Sequence, residues 1–310
     1  MPCYQVENNI PVTAPAVFAC ENLYPPEVTL EYVFVDDGSS DDTFNALRKV
    51  QMENPQREIQ VIKLSRNFGA NNASLAGYTH GTGDWFISLA ADLQDPPEWI
   101  PKLYEHTKKG YKLVLANREK REDTINITFF AAIYHWTMRK IMPQNVPPGG
   151  FDLFLFSREV KEKLLGLEEK NAYIPYLLMW LGYEYVSIPY TRRKREIGQS
   201  MWTLPKKIKA FIDSVVAFSY FPIRMISVAG LGLGFAGLLW LVWILVQRAL
   251  GNSSAVEGWT SLMIVLLLVS SFQMIALGVI GEYVWRALDA ARGRPNFIVD
   301  KIFANPRASG

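Results

Sequence analysis

The chain has 310 residues, room for one large domain or two small ones, and its formal net charge of +2 is too small to imply a nucleic-acid partner. Its two cysteines, Cys3 and Cys20, cannot build a disulfide framework and fit a reducing compartment. The balanced composition hides a sharp division, since residues 1–200 are mixed and charged whereas residues 225–281 are mostly apolar.

In chain order, residues 1–23 read as the end of a strand followed by a loop, with little strand before Pro2. Either translation starts upstream of Met1 or the sheet lacks a central strand. Residues 31–35 (EYVFV) form a buried strand running into Asp36-Asp37-Gly38-Ser39-Ser40-Asp41-Asp42-Thr43, whose polar side chains can cap a helix over 43–54. A strand at 60–64 leads into Ser65-Arg66-Asn67-Phe68-Gly69 and a helix through about His80. Residues 85–89 give the next strand, followed by an acidic loop, a helix to Lys109 and a strand at 112–116. Strand and helix alternate every roughly 20–30 residues, which argues for βαβ units and a mainly parallel sheet. Ligands then belong at the loops that leave the strands, where these polar motifs lie.

The acidic loop is the most informative stretch. ISLAADLQDPPE, residues 87–98, begins as a buried strand and delivers Asp92, Gln94 and Asp95 to its carboxyl end. Such oxygen ligands suit a hard divalent cation, Mg2+ or Mn2+, held partly by substrate phosphates. The plainer alternative is a strand end followed by an Asp-Pro turn that starts a helix at Pro97.

Two uncharged stretches, residues 225–246 and 258–281, are each long enough to cross a hydrocarbon core of about 30 Å. With no signal peptide in front, residues 1–220 are expected on the synthesis side. Lys206, Lys207, Lys209 and Arg224 precede the first stretch, and Arg286, Arg292, Arg294 and Lys301 follow the second. The connecting loop 247–257 carries only Arg248, so both termini are expected in the cytoplasm. Residues 124–142 and 206–220 place apolar side chains at helical spacing; they either pack on the core or, as the nearby span favours, lie in the membrane interface. Gly230 and Gly234 form a GxxxG, which together with the basic tail would suit a homo-oligomer.

VDDGSSDDT, LSRNFGANNASLAGY, AADLQDPPE, GGFDLFLFSREV and RRKREIGQSMW follow one another with strand-end placement. Together they resemble glycosyltransferase family 2, and within it the polyprenyl-phosphate glycosyltransferases. The two spans and the tail GEYVWRALDAARGRPNFIV resemble the bacterial members. The resemblance implies an α/β GT-A fold (residues 1–200), an interfacial amphipathic helix (201–224), a transmembrane hairpin (225–285) and a basic cytoplasmic tail (286–310). It implies a multi-pass enzyme of the inner or plasma membrane. That enzyme would transfer a sugar, with inversion, from a nucleotide diphosphate sugar (a UDP-sugar favoured) to a polyprenyl phosphate.

By the same resemblance Asp92 and Gln94 hold the metal, Asp37 contacts the nucleobase, and Arg66 lines the donor pocket with Pro2, Tyr4 and Asp92. Arg118 and Arg195 are placed for phosphate groups, since a guanidinium binds two oxygens at once. Ser200, in the Arg-x-x-Gly-x-Ser run, adds a hydroxyl, and Asp152 orients the nucleophile first and acts as a base second. The bland readings are a solvated or lipid-contacting charge run for Arg192–Arg195 and a capping or turn aspartate for Asp152. Two departures stand out. Ala90 replaces the first aspartate of the Asp-x-Asp metal motif, so weaker metal binding is expected, and Tyr4-Gln5-Val6 replaces Tyr-Asn-Glu. Both departures motivate an alternative, a non-catalytic membrane scaffold that kept the fold. A processive polysaccharide synthase is disfavoured by the two spans and the missing Gln-x-x-Arg-Trp motif.

Overall fold

The computed structural model describes residues 1–120, 137–141, 146–147, 150–167, 169, 173–193, 204–250 and 259–305. The chain divides into two compact units, Met1–Val215 with Pro295–Gly310, and Val216–Arg294.

The first unit alternates strands and helices: β1 (Pro2–Cys3), α1 (Ile10–Phe18), β2 (Glu31–Asp36), α2 (Thr43–Glu53), β3 (Glu58–Leu64), α3 (Ala70–His80), β4 (Trp85–Ile87) and α4 (Trp99–Thr107). It continues with β5 (Leu113–Lys120), β6 (Phe151–Ser157), α5 (Arg158–Leu165), α6 (Ile174–Trp180), β7 (Tyr185–Thr191) and α7 (Leu204–Phe218). The second unit holds the last residues of α7, then α8 (Phe221–Ala249) and all of α9 (Trp259–Ala291), after which β8 (Val299–Ala304) rejoins the first.

Strands β1, β2 and β3 pair in parallel, and β8 closes the free edge of β3 in antiparallel sense. A second sheet has the order β4-β6-β5-β7, with β5 and β7 parallel and β6 antiparallel to both its neighbours. The alternation in β2 and β3 puts successive side chains on opposite faces. Phe34, Ile59 and Val61 pack against Ile10, Ala14 and Phe18 of α1 and Leu47 of α2, while Val35, Ile62 and Leu64 meet Ala73 and Ala76 of α3. In the second sheet Val114, Ala116, Leu153 and Leu155 pack with Ile100 and Leu103 of α4 and with Tyr190. Each fully buried aliphatic side chain of this kind contributes about 1.5–3 kcal/mol.

Among the elements that sequence reading missed, α1 and β8 position the first sheet. Helix α1 carries Pro11 in its first turn, where a missing N–H costs little, and Pro15 in its interior, so its helical signal is weak. Strand β8 lies in the basic tail. Phe297 and Val299 pack on the α3 side of the first sheet, and the Asn305 side-chain amide donates to the carbonyls of Gln51, Asn54 and Arg57 at 3.3, 3.2 and 3.1 Å.

In the second unit, α8 and α9 run 29 and 33 residues. At about 1.5 Å per residue each exceeds the roughly 30 Å of a hydrocarbon core. The apolar windows Phe221–Trp240 and Val265–Ala291 have mean hydropathies of 1.6 and 1.9 and are not buried within the protein. A Cβ on Gly230 would lie 3.5 Å from the Phe272 ring, so this glycine sits at the contact between the two helices; a Cβ on Gly234 would meet nothing within 4 Å.

Candidate active site

Two loops of the first sheet are built against each other. Strand β2 ends in Asp36, and the next residues turn through Gly38 at φ +64°, a conformation glycine adopts without strain. A Cβ on Gly38 would lie 2.3 Å from the backbone carbon of Arg66, so only glycine lets the loops after β2 and β3 touch. Asp37 then reaches across: its carboxylate accepts the N–H groups of Phe68 at 2.7 Å and Gly69 at 2.9 Å. Burial pushes the Asp36 and Asp37 carboxyls above the usual range, and the backbone N–H donors oppose the rise. An ionised carboxylate offers about four acceptor sites, so Asp37 retains capacity for a base N–H beyond those two bonds. Arg66 is exposed, with its guanidinium 4.0 Å from the centre of the Phe68 ring.

The N-terminal residues complete this side. Pro2 pairs with Val35 in β1, and Tyr4 follows at the strand end, half-buried. Gln5 and Val6 donate backbone N–H groups to Ser39 Oγ at 3.0 Å and Thr43 Oγ1 at 2.8 Å, which ties this turn to the loop after β2.

The acidic loop follows β4, which stops at Ile87 rather than Leu89. Its two ends are anchored. The buried Thr13 hydroxyl of α1 donates to the Ala91 carbonyl at 2.8 Å. At the other end Asp95, 4% exposed, accepts the Tyr190 hydroxyl at 2.5 Å and pairs with Arg192 at 3.3 Å. Between these anchors Asp92 and Gln94 are only half-buried, and the Gln94 N–H donates to Asp92 Oδ1 at 3.2 Å. Leu93 has φ +52°, a strained value for a side chain branched at Cγ, and the anchors hold it there. Asp95 thus belongs to the frame of the loop. Its partner Tyr190 is 95 residues away in sequence, which is why pattern reading grouped Asp95 with Asp92 and Gln94.

Among the described residues no group of three or more His, Cys, Asp and Glu converges. One carboxylate and one amide oxygen fit a Mg2+ or Mn2+ whose remaining ligands come from water and a diphosphate.

The second sheet brings Arg118 and Asp152 to one end. Arg118 lies near the end of β5, its N–H donating to the Gly150 carbonyl at 3.2 Å, and is the register partner of Tyr190 on β7. Ala116 pairs with Leu153 and Asn117 with Phe151, so the register slips and Asp152 falls between the two. Bulges of this kind cluster beside active sites, where they re-aim a strand. Asp152 and Arg118 therefore sit on neighbouring inner strands, near the same end of the sheet. Arg195 and Ser200 lie outside the described residues, as does most of the expected helix at 124–142.

The sequence profile described as glycosyl transferase family 2 matches residues 1–165, just over half of the chain. The chain belongs to glycosyl transferase family 2. Its α/β core, of the GT-A class expected from the sequence, carries the loops described above. An uncharacterized glycosyltransferase of Bacillus subtilis, YkcC, is 35% identical over 88% of this chain and 84% of its own. The undecaprenyl-phosphate 4-deoxy-4-formamido-L-arabinose transferase of Photorhabdus laumondii is 30% identical over 100% of this chain and 94% of its own. The SfII prophage-derived bactoprenol glucosyl transferase of Shigella flexneri is 32% identical over 97% and 96%. Among solved structures, a mannosyltransferase of Pyrobaculum calidifontis in complex with GDP-Man and Mn2+ aligns over 89% of this chain and 84% of its own, with 15% identity and a TM-score of 0.46.

Proposed function

We propose that this family 2 member transfers a sugar, with inversion, from a nucleotide diphosphate sugar to a membrane polyprenyl phosphate, and that the donor is a UDP-sugar. The observation that carries the reading is the extent of the likeness. Relatives named for undecaprenyl-phosphate and bactoprenol sugar transfer match 97–100% of the chain, spanning both the strand-end loops and the two apolar helices.

In this reading Asp37 reads the nucleobase, while Arg66, Pro2 and Tyr4 line the donor site. Asp92 and Gln94 would hold a Mg2+ or Mn2+, which neutralises the charge growing on the leaving diphosphate. An acceptor phosphate oxygen attacks the anomeric carbon opposite the leaving group; the bond to the nucleoside diphosphate breaks as the new bond to the lipid phosphate forms. A phosphate monoester has its second pKa at about 6, so little proton removal is required at neutral pH. Asp152 therefore acts first by position, and Arg118, Arg195 and Ser200 hold the phosphate oxygens. With Ala90 in the motif the cation depends on the diphosphate, and half-saturation by Mn2+ far below cellular metal levels would contradict that dependence.

The domain order expected from the sequence extends to topology. The chain leaves the first unit at Val215 and returns at Pro295 to form β8 on β3. Two crossings return the chain to the side it left, and the basic residues flanking them, against the single Arg248 between them, favour a catalytic domain and both termini on the cytoplasmic side, with the amphipathic 206–220 segment in the interface. Gly230 at the helix contact leaves Gly234 open for a second copy. The test of function is transfer: membranes containing the full chain, a panel of labelled nucleotide sugars, Mg2+ or Mn2+, and a polyprenyl phosphate. Label from one sugar in an acid-labile lipid supports the proposal; no label from any donor overturns it.

A further inference from the structure

We infer that Asp95 and Tyr190 are positioning residues that lock the acidic loop to the exit of β7, so that the donor-side cation site and Arg192 and Arg193 move as one unit. The inference rests on the transferase reading for what the two sides bind, but the coupling itself is drawn from contacts. Asp95 is buried, accepts the Tyr190 hydroxyl and forms an ion pair with the Arg192 guanidinium at 3.3 Å. One residue earlier, the Gln94 carbonyl accepts the Arg193 N–H at 2.9 Å. One turn later, Glu98 pairs with the Arg193 guanidinium. Tyr190 is 1% exposed, stacks edge-on against Trp99 with ring centres 6.1 Å apart, and faces Arg118 in the β5–β7 register.

Every residue from Gln94 to Glu98 with a side chain or carbonyl in these contacts is therefore tied to residues 190–193 rather than to its own strand. A buried carboxylate shared between a hydroxyl and a guanidinium is costly to leave half-paired, which makes the two loops favour a single joint arrangement. Burial, with the charge and hydrogen bond of Asp95, pushes the Tyr190 hydroxyl well above its ordinary value, while Arg118 and Arg192 act against the rise. Tyr190 therefore stays a hydrogen-bond donor at any physiological pH. A cation and diphosphate seated on Asp92 and Gln94 would thus set the position of Arg192 and Arg193, and through Tyr190 that of the strand bearing Arg118.

The test uses the full chain in detergent and two variants. Tyr190→Phe removes only the hydroxyl and keeps the ring against Trp99; Asp95→Asn keeps the shape and removes the charge. Mn2+ binding in the presence of uridine diphosphate is read by electron paramagnetic resonance, and KM for polyprenyl phosphate is measured separately from kcat. Tyr190→Phe is expected to weaken Mn2+–diphosphate binding roughly tenfold and to raise the lipid-phosphate KM by a similar factor, with Asp95→Asn stronger in both. Unchanged Mn2+ binding in folded Tyr190→Phe overturns the coupling, as does a shift in one parameter without the other. If the parent binds Mn2+ with the diphosphate but transfers no sugar, the transferase reading fails, and a Tyr190→Phe shift in Mn2+ binding still supports the lock. A parent that binds no Mn2+ with the diphosphate overturns the lock as well.

Discussion

The two sheets of the first unit hold their loops in different ways. In the first, the loops after β2 and β3 and the N-terminal turn brace one another over 31 to 37 residues of sequence, largely by backbone N–H groups donated to short side chains. In the second, the acidic loop is held from both flanks by distant elements, Thr13 of α1 and Tyr190 of β7. The first arrangement is rigid, which in the proposed reading suits a group such as a base. The second leaves Asp92 and Gln94 half-buried between two anchors, which suits a site that must accept a charged group and release it.

The contrast can be broken most severely at Gly38. Replacement by alanine forces a left-handed residue, at about 1–2 kcal/mol, and also an overlap with the Arg66 backbone that only displacement of that loop relieves. Thermal melting of Gly38→Ala should show the first sheet destabilised by more than the conformational term alone, and nucleotide binding should be lost; a melting curve equal to the parent's would remove the claim that the loops touch.

A milder probe is Asn305→Ala, which removes one side-chain donor from three carbonyls at the end of β8. A loss of about 1–3 kcal/mol is expected, together with faster amide exchange along the β3 edge. Loss of stability with β3 exchange unchanged would mean that the tail does not brace this edge.

The two thiols sharpen the picture of what lies inside. Cys3 is buried beside Asp36 and its thiol is pushed up to about 12, chiefly by burial, whereas Cys20 is partly exposed. Iodoacetamide at mild alkaline pH should label Cys20 and spare Cys3 in the folded protein. Equal labelling would show that β1 opens.

Smallest of all is the Glu21–Arg57 pair at 2.7 Å. The Arg57 hydrogen bond holds the Glu21 carboxyl below its ordinary value, against the effect of burial. The stability it gives is present above the ordinary glutamate range and lost as pH falls through the lowered value. Glu21→Gln should flatten that part of the stability–pH curve by under about 1 kcal/mol, as for a half-buried pair still within reach of solvent screening.

Local pattern reached much of this. Strands β2 and β3 and the helices after them were legible because their apolar alternation and the polar loops behind them lie side by side in sequence. The apolar helices α8 and α9 were legible from length and lack of charge. Pattern did not reach α1, whose two prolines mask it, nor β8, a short strand in a basic tail whose pairing is with residues 240 positions earlier. The same limit applied in the site. Asp92, Gln94, Asp37 and Arg66 stood out as polar residues at strand ends, but Asp95 as an anchor depends on Tyr190, and nothing local marks a tyrosine in β7 as the partner of a loop 95 residues back.

The central claim, that Asp92 serves sugar transfer to a lipid phosphate, is met most directly by comparing Asp92→Ala with the parent in the labelled-donor assay at equal protein level. The account predicts that transfer falls by about 100-fold or more, as for loss of a group that stabilises developing charge, while melting and membrane insertion stay near the parent's. A variant that keeps its cellular role without transfer, or that transfers as well as the parent, would contradict it and favour a scaffold that kept the fold.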